Sequence, residues 1–354
     1  RRASMGYIEH MKIHFDTLKE LSQHVFLGLG VPPVDSKTVA DVIATADLYG
    51  FKTHGVSRLR YYINRIKDRV QHTSTPFRVI SSKSTTAVVD GCNGMGQIIA
   101  YNSMLMAIEK ALTYGLGCVA AKNSSHFGIC SYYSLMAAKA NMIGIVFTNT
   151  RPAVAPFGGS HPVLGTNPYS IAIPSESYPF VIDCSTSIIQ RGDVEVLSRQ
   201  EEPVPEGASV PFVSNASKLL GMLERGEAAL TTFGKHKGSG LSVAIEMLCS
   251  ALVNGDAMGE IRGHYEGLQN KPYNLGHLFL AIDPSHFIDI KTFKRKVSSI
   301  RTELQESGDS VLVAGDLEFQ NIGERMANIE ISEPVYQEIV DIASEFDFCL
   351  EREL

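Results

Sequence analysis

No stretch limits the fold as much as residues 122–174, KNSSHFGICSYYSLMAAKANMIGIVFTNTRPAVAPFGGSHPVLGTNPYSIAIP. Two apolar runs within it, 142–147 and 169–173, have the length and composition of buried strands. Gly, Pro, Asn, Thr and His crowd the segments around them. Such loops bring backbone N–H groups close to a ligand. Ser125-His126-Phe127-Gly128 precedes a helical pattern over 130–140, and an open helix start suits an anion such as a cofactor pyrophosphate. The stretch therefore predicts a small-molecule site made from strand ends and one helix start.

The remainder sorts into helical ends and a mixed middle. Apolar spacing predicts helices over 12–29 and from Asp35 or Ser36 to Gly50, with Pro32-Pro33 between them. A third helix starts near Val56. Short β-branched runs at 78–80 and 85–89 predict strands, followed by a glycine turn at 91–96 and a helix over 101–116. Strands follow at 118–121 and 180–184. Residues 201–217 look like a polar surface excursion, and 254–274 like a mobile loop. An apolar helix is predicted over 241–252 and a strand over 277–282. A helix over 291–305, a strand over 311–313 and a helix over 333–346 complete the chain. The resulting organisation is helical over 1–76 and 284–354 and mixed over 77–283.

Composition excludes several classes. With 354 residues, 44% hydrophobic and 20% charged, the chain has ample material for a core. A net charge of −6 gives no basic footprint for nucleic acid. No apolar run approaches the roughly 18 residues of a membrane span, and no signal-peptide pattern is present. The six cysteines form no C-x-x-C pair and sit mostly in apolar surroundings, as expected of reduced thiols in a reducing compartment such as the cytoplasm. The histidines lack metal-ligand spacing.

Two glycine loops invite a phosphate. Gly91-Cys-Asn-Gly94-Met-Gly96 has the wrong order for the dinucleotide fingerprint G-x-G-x-x-G and fits a plain tight turn. Gly234-Lys-His-Lys-Gly-Ser-Gly240 before a helix joins flexible backbone to two lysines, and suits a phosphate or a surface loop equally.

Seven motifs then occur in one order: Thr53-His54-Gly55-Val56-Ser57-Arg58, Ser125–Gly128, Thr148-Asn149-Thr150, Pro156-Phe157-Gly158-Gly159, Gly165-Thr166-Asn167-Pro168, Asp183-Cys184-Ser185-Thr186-Ser187 and His236-Lys237-Gly238-Ser239-Gly240-Leu241. In these the chain resembles the type 2 malate/L-lactate dehydrogenase family, which also includes sulfolactate and ureidoglycolate dehydrogenases and piperideine-2-carboxylate reductases. The resemblance runs from about Ile13 to Phe346. It implies an α/β (α+β) fold that is not Rossmann: a largely antiparallel central sheet, flanking helices, a helical region from both chain ends (1–76 and 284–354) on the substrate and dimer side, and an NAD(P)-binding domain over 77–283. It also implies a homodimer and NAD- or NADP-dependent exchange of a small 2-hydroxy acid with its 2-keto acid. Lys235 and Ser239 depart from the family's glycine and aromatic, and Thr53 replaces its usual serine.

Reducing a 2-keto acid requires a hydride, a proton and a cation for the carboxylate. His54 and His126 are the proton-transfer candidates, though a loop histidine also serves structure. Arg58, four residues beyond His54, suits a carboxylate clamp or a solvated helix surface. Asp183 suits support of a histidine or a helix cap. Thr166 and Asn167 can bind substrate or backbone. By resemblance, Ser125, Gly128, Thr150, Cys184, Ser185, Lys237, Gly315 and Asp316 are cofactor contacts. Two alternatives remain: a reductase of cyclic imino acids, and a non-catalytic binding protein on the same fold.

Overall fold

The computed structural model describes residues 10–261 and 272–350. In chain order it contains β1 (His10–Ile13), α1 (Phe15–Gly28), α2 (Pro33–Leu48), α3 (Leu59–Lys67), β2 (Arg78–Ser82), β3 (Thr86–Asp90), α4 (Gly96–Tyr114), β4 (Leu116–Ser124), α5 (Cys130–Lys139), β5 (Ile143–Thr148), β6 (Tyr169–Ile173) and β7 (Phe180–Cys184). There follow α6 (Arg191–Arg199), β8 (Ser209–Val210), α7 (Ala216–Glu224), β9 (Ala229–Leu230), α8 (His236–Ser250), β10 (Leu275–Ile282), α9 (Ile290–Gln305), α10 (Asp316–Phe319), α11 (Ile322–Ala327), β11 (Ile329–Ser332) and α12 (Glu333–Glu345). Contacts divide the chain into two compact units, one ending at Lys67 and resuming at Leu317, the other spanning 68–316.

In the smaller unit the helix expected over 12–29 begins only at Phe15. Its first residues form β1 instead, because β11 offers a partner: His10 lies opposite Ser332 and Ile13 opposite Ile329. A four-residue strand whose partner lies over 300 residues away leaves little periodic signal. Leu18, Leu21, Val25 and Phe26 of α1 are buried, as are Val39, Val42, Ile43 and Ala46 of α2. Helix α2 starts at Pro33, earlier than the expected cap at Asp35 or Ser36, since proline is preorganised for a first helical turn.

The larger unit is built on a seven-stranded sheet in the order β2-β3-β4-β10-β5-β6-β7. Among these strands only the β3–β4 pairing is parallel; the other five are antiparallel. Alternation along β10 separates two packed faces. Leu278 joins Ile245 and Cys249 of α8 in one cluster. Phe279 points the other way, with its ring 6.1 Å from that of Tyr133 on α5. Helices α4 and α5 therefore cover one face and α8 the other.

Several expectations are corrected here. Residues 201–217 are no simple surface excursion: Val204, Ala208 and Ala216 are buried with Val154, Leu164 and Leu230 in a second cluster. These apolar residues stand singly among prolines, glycine and polar residues, which masked the pattern. Residues 311–313 form no strand. The helix expected over 101–116 runs from Gly96 to Tyr114, and the glycine loop at 234–240 already contains the first turn of α8. Of the loop expected over 254–274, residues 262–271 lie outside the described residues. No helix among the described residues is long and apolar enough to cross a membrane.

One glycine sets the spacing between α8 and the sheet. A Cβ on Gly276 would run into the carbonyl oxygen of Cys249. Only a side-chain-free residue lets the helix backbone come this close. Gly276→Ala should lower unfolding stability by about 1–3 kcal/mol, measured by urea denaturation.

Candidate active site

In the smaller unit, residues 51–59 form a tight loop with several internal bonds. His54 N–H donates to the Phe51 carbonyl at 2.9 Å and Arg58 N–H to the Gly55 carbonyl at 2.9 Å. Ser57 Oγ donates to the Lys52 carbonyl at 2.7 Å, and Arg58 Nε to the Thr53 carbonyl at 2.7 Å. Asp47 of α2 supports the loop from beneath, accepting the Val56 N–H at 2.7 Å. Its carboxylate fills the space a Cβ on Gly55 would need. Burial raises the Asp47 carboxyl to about 7, against the pull of the Val56 N–H and Lys52. His54 Nδ1 lies 2.8 Å from Thr53 Oγ1, so the hydroxyl common to this motif orients the ring. Burial, aided by the Arg58 charge, lowers His54 to about 3, so its imidazole is neutral near pH 7. His54 and Arg58 thus share one loop, as the sequence spacing predicts.

In the larger unit, the motif loops bind one another. Thr150 N–H donates to Asn167 Oδ1 at 3.0 Å, and Thr166 N–H returns a bond to Thr150 Oγ1 at 2.9 Å. A Cβ on Gly165 would strike Thr150 Oγ1 and Asn167 Oδ1, which explains the glycine. The Thr166 carbonyl accepts both the N–H and the Oγ1 of Thr186, each at 2.8 Å. Phe233 N–H donates to the Thr186 carbonyl at 3.1 Å, carrying the chain to the start of α8. Ser239 Oγ accepts the Phe157 N–H at 3.0 Å. Five motifs far apart in sequence thereby become one polar floor.

Individual candidates take definite places on or beside that floor. Thr166 and Thr150 are half-buried within it, whereas Asn167 is fully buried. Asn167 Nδ2 is engaged by the Ser242 carbonyl at 3.1 Å and Glu246 Oε2 at 2.8 Å. Ser185 Oγ lies 3.1 Å from Ser187 Oγ. Burial raises the Cys184 thiol, which disfavours a thiolate. Lys237 is exposed in the first turn of α8. Ahead of it, Lys235 holds φ 57° and ψ −119°, a conformation suited to glycine.

The helix start at Cys130 differs from expectation. Asp183 Oδ2 accepts the Ser131 N–H at 2.6 Å, so a carboxylate of the protein itself occupies the site expected to take a pyrophosphate. Of the two roles offered for Asp183, this bond is of the helix-cap kind, although the sequence did not indicate that the capped helix begins 52 residues earlier. Ser125 is buried, accepting the Gly96 N–H at 2.9 Å and donating to the Gly94 carbonyl at 3.1 Å. The glycine turn at 91–96 thus packs against the Ser125 segment, in line with the tight-turn reading. Gly128, at φ +87°, follows half-buried His126 and directs its N–H toward His126 Nδ1 at 3.4 Å. Gly315 and Asp316 lie beside the start of β7, where Val181 N–H donates to the Ala314 carbonyl at 3.2 Å. Asp316 is fully buried and ion-paired with Arg301. It also accepts bonds from Tyr178 Oη at 2.9 Å, Gln305 Nε2 at 3.0 Å and the Val313 N–H at 2.8 Å.

Three charged or titratable residues escaped the sequence reading. Asp47 and Glu246 are each an acid within an apolar helical run, and that anomaly was the available signal. His277 is the third residue of the buried strand β10, with Nδ1 2.7 Å from Thr148 Oγ1 and its ring centroid 4.6 Å from that of Phe127. Burial lowers His277 to about 3.

The chain matches the family model described as malate/L-lactate dehydrogenase over residues 13–340. It is 40% identical to the malate/(S)-sulfolactate dehydrogenase of Methanothermus fervidus over 324 residues, covering 91% of this chain and 94% of that protein. The malate dehydrogenase structure from Entamoeba histolytica superposes with TM-score 0.92 at 33% identity, covering 97% of this chain and 100% of that one. The sulfolactate dehydrogenase structure from Methanocaldococcus jannaschii gives 0.86 at 36% identity, covering 96% and 98%.

Two measurements test the local energetics. Lys235→Gly should raise unfolding stability by about 1 kcal/mol by relieving the backbone, as read from the urea midpoint. His277, lowered from 6.5 to about 3, is neutral in the fold and protonated in the unfolded chain between those values. Its contribution is present above pH 6.5 and lost as pH falls toward 3. His54 acts with the same sign, and Asp47, raised to about 7, with the opposite sign. His277→Gln should therefore flatten the loss of stability between about pH 6 and 4 by about 1.4 kcal/mol per pH unit.

Proposed function

The chain belongs to the malate/L-lactate dehydrogenase family, and on that premise we propose that it interconverts a small 2-hydroxy acid and its 2-keto acid with NAD or NADP. It is an oxidoreductase acting on CH–OH donors. Malate and sulfolactate, named for its relatives, define the substrate class: a hydroxyl beside one carboxylate, with a second anionic group. Its working form is a cytoplasmic homodimer.

The observation that carries the mechanism is the 53–58 loop, in which one histidine and one arginine are fixed by the same few bonds. Arg58 binds the substrate carboxylate, and His54 exchanges the hydroxyl proton through Nε2 while Thr53 holds Nδ1. A neutral His54 is ready to take that proton in the oxidative direction. In the reductive direction, a substrate carboxylate against Arg58 offsets the guanidinium charge that lowers His54, favouring the imidazolium that must donate. His126 orients the reacting groups, and Asp183 supports that orientation by fixing the start of α5.

The polar floor in the larger unit fits a nicotinamide cofactor. Thr150, Thr166 and Ser185 supply hydroxyls, and Lys237 with the start of α8 suits a pyrophosphate. Bound there, the cofactor supplies and takes back the hydride. Ser125 and Gly128 shape one side of the floor and Cys184 another, while the buried Asp316 braces Gly315.

Nicotinamide absorbance with malate, sulfolactate and lactate and their keto acids tests the reading. His54→Ala should reduce turnover at least about 100-fold with cofactor affinity within about twofold of wild type. Full activity in that variant would shift the proton exchange to His126. With His54 lowered to about 3, kcat/KM for hydroxy-acid oxidation should lose nothing to its protonation between about pH 8 and 5. An apparent pKa near the ordinary histidine value that vanishes in His54→Ala would contradict the lowered His54 value while leaving His54 the exchanging group; one that persists in that variant would belong to another residue.

A further inference from the structure

Glu246 lies on the inner side of α8 with only 4% of its surface exposed. Its Oε1 accepts Asn149 Nδ2 at 3.2 Å and the Met258 N–H at 3.0 Å, and its Oε2 accepts Asn167 Nδ2 at 2.8 Å. Both asparagines are fully buried, and each belongs to a different motif of the polar floor.

A carboxylate only accepts hydrogen bonds, so both asparagines must turn their NH2 groups toward Glu246. Their Oδ1 atoms then face away from it. Asn149 Oδ1 accepts the Gly276 N–H at 2.8 Å, fixing the entry to β10. Asn167 Oδ1 accepts the Thr150 N–H at 3.0 Å, fixing the 149–150 segment against 165–167. One acid therefore sets the polarity of two amides, and through them the position of two backbone segments. A neutral isostere of the same shape cannot do this. In Glu246→Gln the introduced NH2 would oppose an asparagine NH2, leaving a buried donor unpaired or forcing an amide to flip.

We infer that Glu246 is a positioning residue for cofactor binding, acting through Asn149 and Asn167 to hold Thr150 and Thr166 where the nicotinamide nucleotide lies. This rests on the assignment of the 150/166 floor to the cofactor. Glu246 touches neither substrate nor cofactor. Its effect is on ground-state cofactor affinity, and the proton exchange assigned to the 53–58 loop does not depend on it.

The test is a titration of nicotinamide fluorescence with NADH and NADPH on the full chain. Wild type, Glu246→Gln, Asn167→Asp and the double variant Glu246→Gln/Asn167→Asp are compared, with thermal unfolding alongside. In the double variant the acid and the amide exchange places, so an NH2 again meets a carboxylate. Glu246→Gln should weaken binding of the preferred nucleotide at least about tenfold in protein that is still folded. The Asn167→Asp change removes the donor to the Ser242 carbonyl, so the double variant should recover in part, binding at least about threefold tighter than Glu246→Gln, and KM for the keto acid should change less than about twofold. A role in stability alone predicts a lower melting temperature with unchanged affinity, and that result would overturn the inference. So would a comparable weakening without recovery in the double variant. Should Glu246→Gln fail to fold, Asn167→Ser removes the same bond from the other side. It should weaken binding at least about fivefold, and unchanged affinity there would equally overturn the inference. Absence of nucleotide binding by wild type would instead defeat the cofactor assignment itself.

Discussion

The seating of β10 between β4 and β5 governs the site end of the sheet. Its register puts His277 opposite both Ala121 and Thr148. The chain leaves β5 at Asn149, where Gly276 N–H meets the Asn149 side chain. Because this strand returns from more than a hundred residues away, it closes the sheet over segments that local contacts alone would not align. Its missing Cβ at Gly276 then admits α8, and α8 carries Glu246 to the two asparagines.

That arrangement solves a problem common to polar ligand sites. Loops that present hydroxyls and amides must be held rigidly, yet a buried polar group without a partner is costly. Here the loops satisfy one another: Thr150 with Thr166 and Asn167, Thr166 with Thr186, Thr186 with Phe233. The same logic operates in the smaller unit, where Asp47, Thr53 and Arg58 fix the histidine loop from three directions. In the larger unit the buried Glu246 faces donors only, and so selects one arrangement of its neighbours.

Much of this was legible in the sequence where the signal was local. The strand at Tyr169–Ile173 and the helices ending near Gly28 and Leu48 follow from periodicity and punctuation. The pairing of His54 with Arg58 follows from spacing within one loop. Long-range partnerships were not legible. Nothing near Ser131 announces that Asp183 will cap its helix, and nothing near β1 announces β11. Val204, Ala208 and Ala216 were hidden because each stands alone among prolines, glycine or polar residues, although their burial builds a second cluster. Among site residues, the sequence favours chemically versatile side chains at loop tips. It therefore understated Glu246 and Asp47, whose work is done from inside apolar helices. Of the two partners it offered Asn167, substrate or backbone, the bonds to Thr150 N–H and the Ser242 carbonyl are of the second kind, with Glu246 added.

The central claim is that the polar floor is formed before any cofactor arrives. Amide hydrogen exchange followed by mass spectrometry, with and without NADH or NADPH, tests it directly. A preformed floor predicts slow exchange in peptides covering 148–167 and 183–188 without nucleotide, with added protection on binding concentrated at 234–240. Fast exchange in 148–167 and 183–188 that becomes slow only when nucleotide is added would contradict it.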